Sequence, residues 1–502
     1  MSREKNAISG YQHVVKGDAA SLSACALAGV SVGFLLLILS SREVRWPIGF
    51  TVLLLFAILL AIVKQKKMFL LCALFISFVI RTNINLWLPH ATRFLTGSGT
   101  TSTAVELFAF DPALILLSFY ILLTRNKNKF KEFKTSDIAS LLFLFFCILS
   151  LFNSFYPNLT LVRLPVMLRM PLIYYCVSRG LTTERELKTL AWVIIALVFL
   201  ESGLAILQTA FGSSQWMASI MERQEQVSFV EAGAFEARRA TGTIGYTTVF
   251  AQWIGMLSPL ALAFAVFCRG NLTRLTAGIT YTLAVIALIL AVSRAEWINL
   301  PIVFAIFLAI WFRKAKINRP SSALVFAAIF VVVVLVVGFQ YNLIVARLTG
   351  PDSESAYSRL PMMKVAARVI ANNPIFGVGL HNYTQVMRSY GSAELLPGWN
   401  FGVHNSFLYL LAETGIFCLV TMLFLWFITF KRLIFCLKND DSFLWKLAAG
   451  MLCGLTALFI HSQVEEGFHI HQALNTMLWA YFGFAAALKA MVVRQGRAKE
   501  GR

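Results

Sequence analysis

The chain has 502 residues, of which 58% are apolar, 43 are Phe and only 14% are charged. Too little polar surface remains for a single water-soluble domain, so a soluble enzyme is excluded. The excess of 44 Lys and Arg over 24 Asp and Glu gives a net charge of +20. A soluble chain would direct that charge at nucleic acid, whereas in a membrane chain it collects in cytoplasmic loops.

Crossing the hydrocarbon takes roughly 17–25 mainly apolar residues, and about fourteen stretches meet that need. They fall near 21–41, 47–63, 68–88, 104–124, 137–153, 161–178, 187–211, 243–268, 275–293, 295–312, 321–340, 404–430, 444–463 and 472–490. The first twenty residues are polar, and no small-residue cleavage pattern follows the first span, which reads as an anchor rather than a removed signal peptide. Cys25, Cys72, Cys147, Cys176, Cys268, Cys418, Cys436 and Cys453 lie mostly inside apolar runs with no paired spacing. They read as small core hydrophobes, with neither disulfides nor a zinc site. The expected fold is an all-α polytopic membrane protein of about 12–14 transmembrane helices, with two long extracytoplasmic loops, 212–242 and 341–403.

Charge fixes the expected orientation. Fourteen spans put both termini on one side, and that side collects roughly two thirds of the basic residues, so it reads as cytoplasmic. The remainder, apart from Lys364, is arginine, including Arg163, Arg169, Arg238, Arg239, Arg294, Arg347, Arg359 and Arg368. Lys suits contact with an anionic leaflet, while Arg presents a planar fork of donors that suits phosphate. Capping and pairing with nearby Glu explains any one of these arginines; the set points to an outward-facing function on a phosphate-bearing ligand.

Ionisable groups within spans are expensive and mark candidate sites. Arg163, Arg169 and Glu201 are such groups, with an Arg169–Glu201 ion pair as the structural alternative. Further on, Arg238 and Arg239 lead into the turn Thr241-Gly242-Thr243, where helix-opening N–H groups beside arginine would make an anion site; an ordinary N-capped helix start is the alternative. Arg294 and Glu296 occupy the short break SRAEWIN. In the second loop, Met362, Val365, Ala366, Val369 and Ile370 recur at helical spacing until Pro374, predicting an amphipathic helix preceded by Arg359, with Lys364 and Arg368 on its polar face.

His404 and Asn405 then stand at the mouth of a late membrane helix, with Glu413 nine residues beyond His404 in the same span. An imidazole there is able to act as general base on an acceptor hydroxyl, or simply to hydrogen-bond at the interface. Glu465, Glu466, His469 and His471 form a possible cluster in EEGFHIH, but no outward Asp-x-Asp pair offers a seat for Mg²⁺ or Mn²⁺ on a diphosphate, so no metal is expected.

The order RRATGT, SRAEW, SRLPMMKVAARVIANNPIFGVGLHNY and HNSFLYLLAETGIF resembles the bacterial O-antigen ligase and polysaccharide polymerase superfamily over about residues 160–475. Its hallmark is a His-Asn pair with Gly ten residues after the Asn, here His404, Asn405 and Gly415; three residues on, Cys418 departs from the Gly, Thr or Tyr of strict ligases. The resemblance implies a GT-C-like, metal-independent, inverting glycosyltransferase without cofactor in the bacterial inner membrane. Its donor would be an undecaprenyl-diphosphate-linked glycan and its acceptor a saccharide or lipid-saccharide on the outer face. Arg239, Arg294 and Arg359 would bind the diphosphate, His404 would be catalytic, and Arg163, Arg169, Arg238, Asn405 and Glu413 would support them. The domain reading is N-terminal spans at 1–158, a ligase/polymerase-like core at 159–475, and a helix end with a basic tail at 476–502. A polymerase extending a lipid-linked chain is the close alternative. A transporter or flippase of lipid-linked sugars is the more distant one, since the sequence shows no internal repeat.

Overall fold

The computed structural model describes residues 45–80, 83–87, 105–124, 134–211, 229–232, 235–314, 359–391, 395, 402–438 and 443–500, with scattered positions between 327 and 345. The chain divides into two compact units, Met1–Leu70 and Leu71–Arg502. The first contains α1 (Arg45–Ile62), and α2 (Lys66–Ser77) begins at its end.

Nine helices among the described residues are long and apolar enough to cross a membrane. Their carriers are α4 (Lys134–Leu149, continued by a 3₁₀ turn at Ser150–Asn153), α5 (Pro157–Gly180), α6 (Glu184–Phe211), α7 (Thr247–Phe267), α8 (Asn271–Leu290), α9 (Arg294–Arg313), α12 (Ser406–Leu437), α13 (Leu444–His461) and α15 (Gln472–Glu500). Between them lie α3 (Asp111–Leu123), α10 (Arg359–Asn372), α11 (Tyr383–Val386) and α14 (Gly467–Ile470). Apolar length makes these segments helical because a spanning helix satisfies its own backbone where no water can. The molecule is therefore an all-α polytopic membrane protein, with the expected spans 21–41 and most of 321–340 outside the described residues.

Two expected spans take another form. The segment 68–88 ends its helix at Ser77 and continues into β1 (Asn83–Trp87), which pairs antiparallel with β2 (Val105–Phe108), so 104–124 opens as a strand before α3. Asn83 and Asn85 sit among the apolar residues of β1, and Asp111 arrests the chain by accepting the Phe108 N–H at 2.8 Å. Arg169 on α5 pins this corner, meeting Asp111 at 2.7 Å and donating to the Glu106 carbonyl at 2.7 Å. The Arg169–Glu201 pair is not what forms. A second hairpin, β3 (Phe229–Ala232) with β4 (Phe235–Arg238), lies in the first long loop.

The centre of the bundle is α7, buried along its whole span. It packs against α6, α8 and α13, and α13 approaches closely because Gly454 faces the Met256 carbonyl, which a Cβ would meet at 1.8 Å. The described cysteines are all free. Cys418 faces Cys147 on α4 with the sulfurs 3.6 Å apart in the buried α4–α12 contact, consistent with use as small core residues.

The helix α12 is broken at Gly415, whose φ is +78°. The segment 374–379 fills the break. Val378 and Gly379 donate to the carbonyls of Ala412 and Glu413, and Ile416 donates back to Pro374, each at 2.9 Å. A Cβ at Gly415 would sit 1.9 Å from the Ile375 oxygen. Gly415→Ala therefore meets both a left-handed backbone and a clash, and should cost at least about 2 kcal/mol. A lower thermal midpoint and poor recovery from membranes would report it; a wild-type midpoint would contradict the break.

Candidate functional site

The alternation of spans brings the start of α5, the start of α9, the start of α12, the end of α13 and α14 to one end of the bundle. There Asn405 caps α12, its side-chain oxygen accepting from the N–H groups of Phe407 (3.0 Å) and Leu408 (2.9 Å) while its amide donates to the Gln463 carbonyl (3.0 Å). The next residue tightens the joint. The Ser406 N–H reaches the carbonyls of Ser462 and Glu465 at 2.9 and 3.0 Å, and its hydroxyl donates to Glu465 at 2.7 Å. Asn405 and Ser406 thus lock the head of α12, and with it the preceding residue His404, to the turn that follows α13.

That turn carries Glu465 and Glu466. The Nδ1 of His404 lies 3.2 Å from Glu465 Oε2 and 3.4 Å from Glu466 Oε2, and Arg359 Nη2 lies 3.7 Å from Glu465 Oε1. Glu465 consequently stands between an imidazole and a guanidinium. Burial opposes charge on His404, but the hydrogen bond and charge of Glu465, with Glu466 behind it, outweigh burial and raise its pKa. Burial likewise works against ionised Glu465, and His404, His461 and Arg359 overcome it to hold that carboxyl low. Glu466 is pushed up to about 8, by burial first and then by the neighbouring Glu465 charge, against the pull of His404. Two adjacent buried carboxylates do not both ionise at neutral pH, so Glu465 carries the charge and Glu466 a proton. With Nδ1 turned to the carboxylates, Nε2 of His404 is the nitrogen left for a substrate.

His404, Glu465 and Glu466 have ligand atoms within 4.8 Å of one another, a composition able to receive a cation. Arg359 already places a fixed positive charge on the same carboxylate, which disfavours a dication there.

A second layer lies deeper. Glu413, 2% exposed, meets Nε2 of His469 at 2.8 Å and accepts the Tyr383 N–H at 3.3 Å. Arg163 donates to the Ile470 carbonyl at 3.1 Å. Glu413 and Arg163 therefore fasten α14 and the turn before α11 to the spans. The segment that carries α10 and α11 forms one core with α12, in which Met362, Val365, Val369, Tyr383, Tyr409 and Ala412 pack together. The amphipathic helix expected from the sequence is α10, and Arg359 is its first residue.

The other arginines are placed differently. Arg239 donates through Nε to the Ala291 carbonyl at 3.0 Å, anchoring the first long loop to the end of α8; Arg294 is the first residue of α9; Arg238 ends β4, and its side chain lies outside the described residues. Arg169 belongs to the hairpin corner described above. The Thr241-Gly242-Thr243 turn does hold an acidic side chain, but it is the chain's own Glu201, met by the Thr243 N–H at 2.8 Å and hydroxyl at 2.6 Å.

EEGFHIH is not one cluster. Glu465 and Glu466 face His404, His469 faces Glu413, and the His471 ring lies 4.9 Å from that of Tyr246. Sequence spacing could not show that the acidic pair meets His404 across the bundle. The available signal was cost: adjacent glutamates in a short break between two spans need cationic partners. His461, which the sequence reading passed over, pairs with Glu296 at 2.8 Å.

Replacing Glu465 by Gln removes the charge and hydrogen bond that raise the His404 pKa and leaves the burial that lowers it. If the neutral imidazole is the working form, the acid limb of the pH–rate profile should move to lower pH. An unmoved limb would show that His404 does not govern it.

Apolar spans surrounding a paired histidine, buried carboxylates and a guanidinium at one end define a polytopic membrane protein with a polar site in its mouth. Residues 279–423 match the O-antigen ligase family, and that match supports a membrane enzyme of polysaccharide biosynthesis of the O-antigen ligase/polymerase kind. The matched segment runs from α8 past the Gly415 break and contains Arg294, Arg359, His404, Asn405 and Glu413; Arg163, Arg169, Arg238, Arg239, Glu465 and Glu466 lie outside it. No curated protein matches the chain.

Proposed function

We propose that the protein is a metal-independent, inverting glycosyltransferase that moves a glycan from undecaprenyl diphosphate to a saccharide acceptor on the outer face of the bacterial inner membrane. The observation that carries this reading is the placement of Arg359 and His404 on opposite oxygens of Glu465. Arg359 would face the diphosphate, together with Arg239 and Arg294, and His404 the acceptor. The acceptor O–H gives its electron pair to the anomeric carbon and its proton to Nε2 of His404. The bond from that carbon to the diphosphate breaks, and its electron pair leaves with the phosphate, where arginine stabilises it without titrating away. The skew of arginine toward one side supports the outward orientation and cytoplasmic termini.

Transfer by the purified protein, given a defined undecaprenyl-diphosphate glycan and each acceptor in turn, tests the reading. Product on a lipid-anchored core saccharide marks a ligase, and elongation of the lipid-linked chain marks a polymerase. Product that disappears with EDTA would overturn metal independence. Absence of product with every acceptor, together with translocation of the intact donor, would favour the flippase alternative.

A further inference from the structure

Beneath the Ser406 joint lies a second group of polar side chains to which the reaction above gives no role. His461 ends α13 and meets Glu296 on α9 through Nδ1, while the Asn299 amide donates to the same carboxylate at 3.3 Å and to the Ala457 carbonyl at 3.1 Å. Gln252 on α7 lies against Gly467 at the start of α14, and Gly255, three residues on and so on the same face of α7, is packed so closely that a Cβ there would overlap Glu296. All four side chains are at most 2% exposed. Even so, His461 Nε2, Asn299 Oδ1 and both amide atoms of Gln252 make no hydrogen bond within the protein, and neither does the indole N–H of Trp297 beside Glu296.

Each buried polar group left unpaired costs about 1–3 kcal/mol, so a membrane bundle does not keep this many together without an occupant. The unpaired atoms include donors, the Gln252 amide and the Trp297 indole N–H, and acceptors, Gln252 Oε1 and Asn299 Oδ1, as water requires, each water taking two to four partners. The charges facing the chamber are few. Glu296 is partnered by His461 and Asn299, its charge also reaching Tyr281 on α8, and His461 acts in turn on Glu465. On the other side of the joint His404 is faced by Glu465, Glu466 and Arg359.

We propose that Gln252, Glu296, Asn299 and His461 enclose a hydrated chamber that receives the proton removed from the acceptor hydroxyl. The inference rests on the transfer reaction proposed above. His404, held against two carboxylates, must shed its proton before each new turnover. Water carries it to Nε2 of His461, whose Nδ1–H stays on Glu296, and the product is an imidazolium–carboxylate pair. No redox partner is involved, and the proton returns to solvent by the same waters.

Gln252→Leu discriminates this role from a structural one. It removes two unpaired polar atoms from a buried place, so the thermal midpoint should hold or rise; yet turnover should fall about tenfold, a modest share of a general-base effect, with a larger solvent isotope effect and unchanged KM for the donor. His461→Gln should do the same and alter the pH profile. Wild-type turnover and isotope effect in both variants would overturn the proposal. Infrared titration of the full-length protein in nanodiscs separates its failure from that of the transferase reading, because it needs no substrate. A carboxylate band that shifts with pH and is abolished by Glu296→Gln supports the chamber, and a Glu296 carboxylate band that stays unmoved across the pH range overturns it whether or not transfer is detected.

Discussion

His404→Ala should lower kcat about 10²- to 10⁴-fold, the range in which a positioned general base contributes, and leave the protein folded. The two halves of that expectation have separate grounds. Folding at the head of α12 depends on the Asn405 cap and the Ser406 joint, neither of which uses the imidazole. Charge balance also survives, because Glu465 keeps Arg359 at 3.7 Å and Glu466 already carries a proton at neutral pH. Chemistry should not survive, since no other described imidazole faces both Glu465 and Glu466. The measurement is initial transfer rate at saturating donor, with membrane protein level as the control. A loss below tenfold at normal protein level would remove His404 from the reaction.

Arg359→Ala should be nearly as severe, lowering kcat/KM for the lipid-diphosphate donor about 10²- to 10³-fold, as loss of one preorganised donor to developing charge does. Arg359→Lys should recover only part of this, because an ammonium lacks the planar fork that spans two phosphate oxygens. A second signature accompanies the rate. The Arg359 charge opposes protonation of His404, so its removal raises the imidazole pKa further and moves the acid limb to higher pH. Glu465→Gln moves it in the opposite direction. A shared direction for the two variants would refute the arrangement in which Glu465 bridges base and guanidinium.

The spans were legible because lipid imposes a length and a composition that few other structures share. Where the sequence misled, a polar residue had taken a partner from a distant element. Asn83 and Asn85 lie in a hairpin that Arg169 secures from α5, and no periodicity within 68–88 announces Arg169. Glu201 looked like a partner for Arg169 and instead fills the Thr243 turn, where one backbone N–H and one hydroxyl both reach its carboxyl group. The His404–Asn405 motif identified the head of α12, and the helical spacing after Arg359 identified α10. The carboxylates that orient His404 stayed hidden because they arrive from the far end of α13, brought by a joint made of backbone carbonyls that have no signature in side-chain pattern. His461 escaped notice for the same reason: its partner, Glu296, begins a helix far earlier in the chain.

The break at Gly415 has a consequence for how the segment that carries α10 and α11 tolerates change. Because Val378, Gly379 and Pro374 occupy backbone positions that an unbroken α12 would have filled itself, residues 374–379 behave as a grafted turn of a membrane helix rather than as loop. Arg359, carried by α10, and His404, heading α12, are therefore mounted on the same block, and their spacing does not depend on the chain that links them. One residue added between 374 and 379 would shift every graft bond out of register and separate the guanidinium from the base.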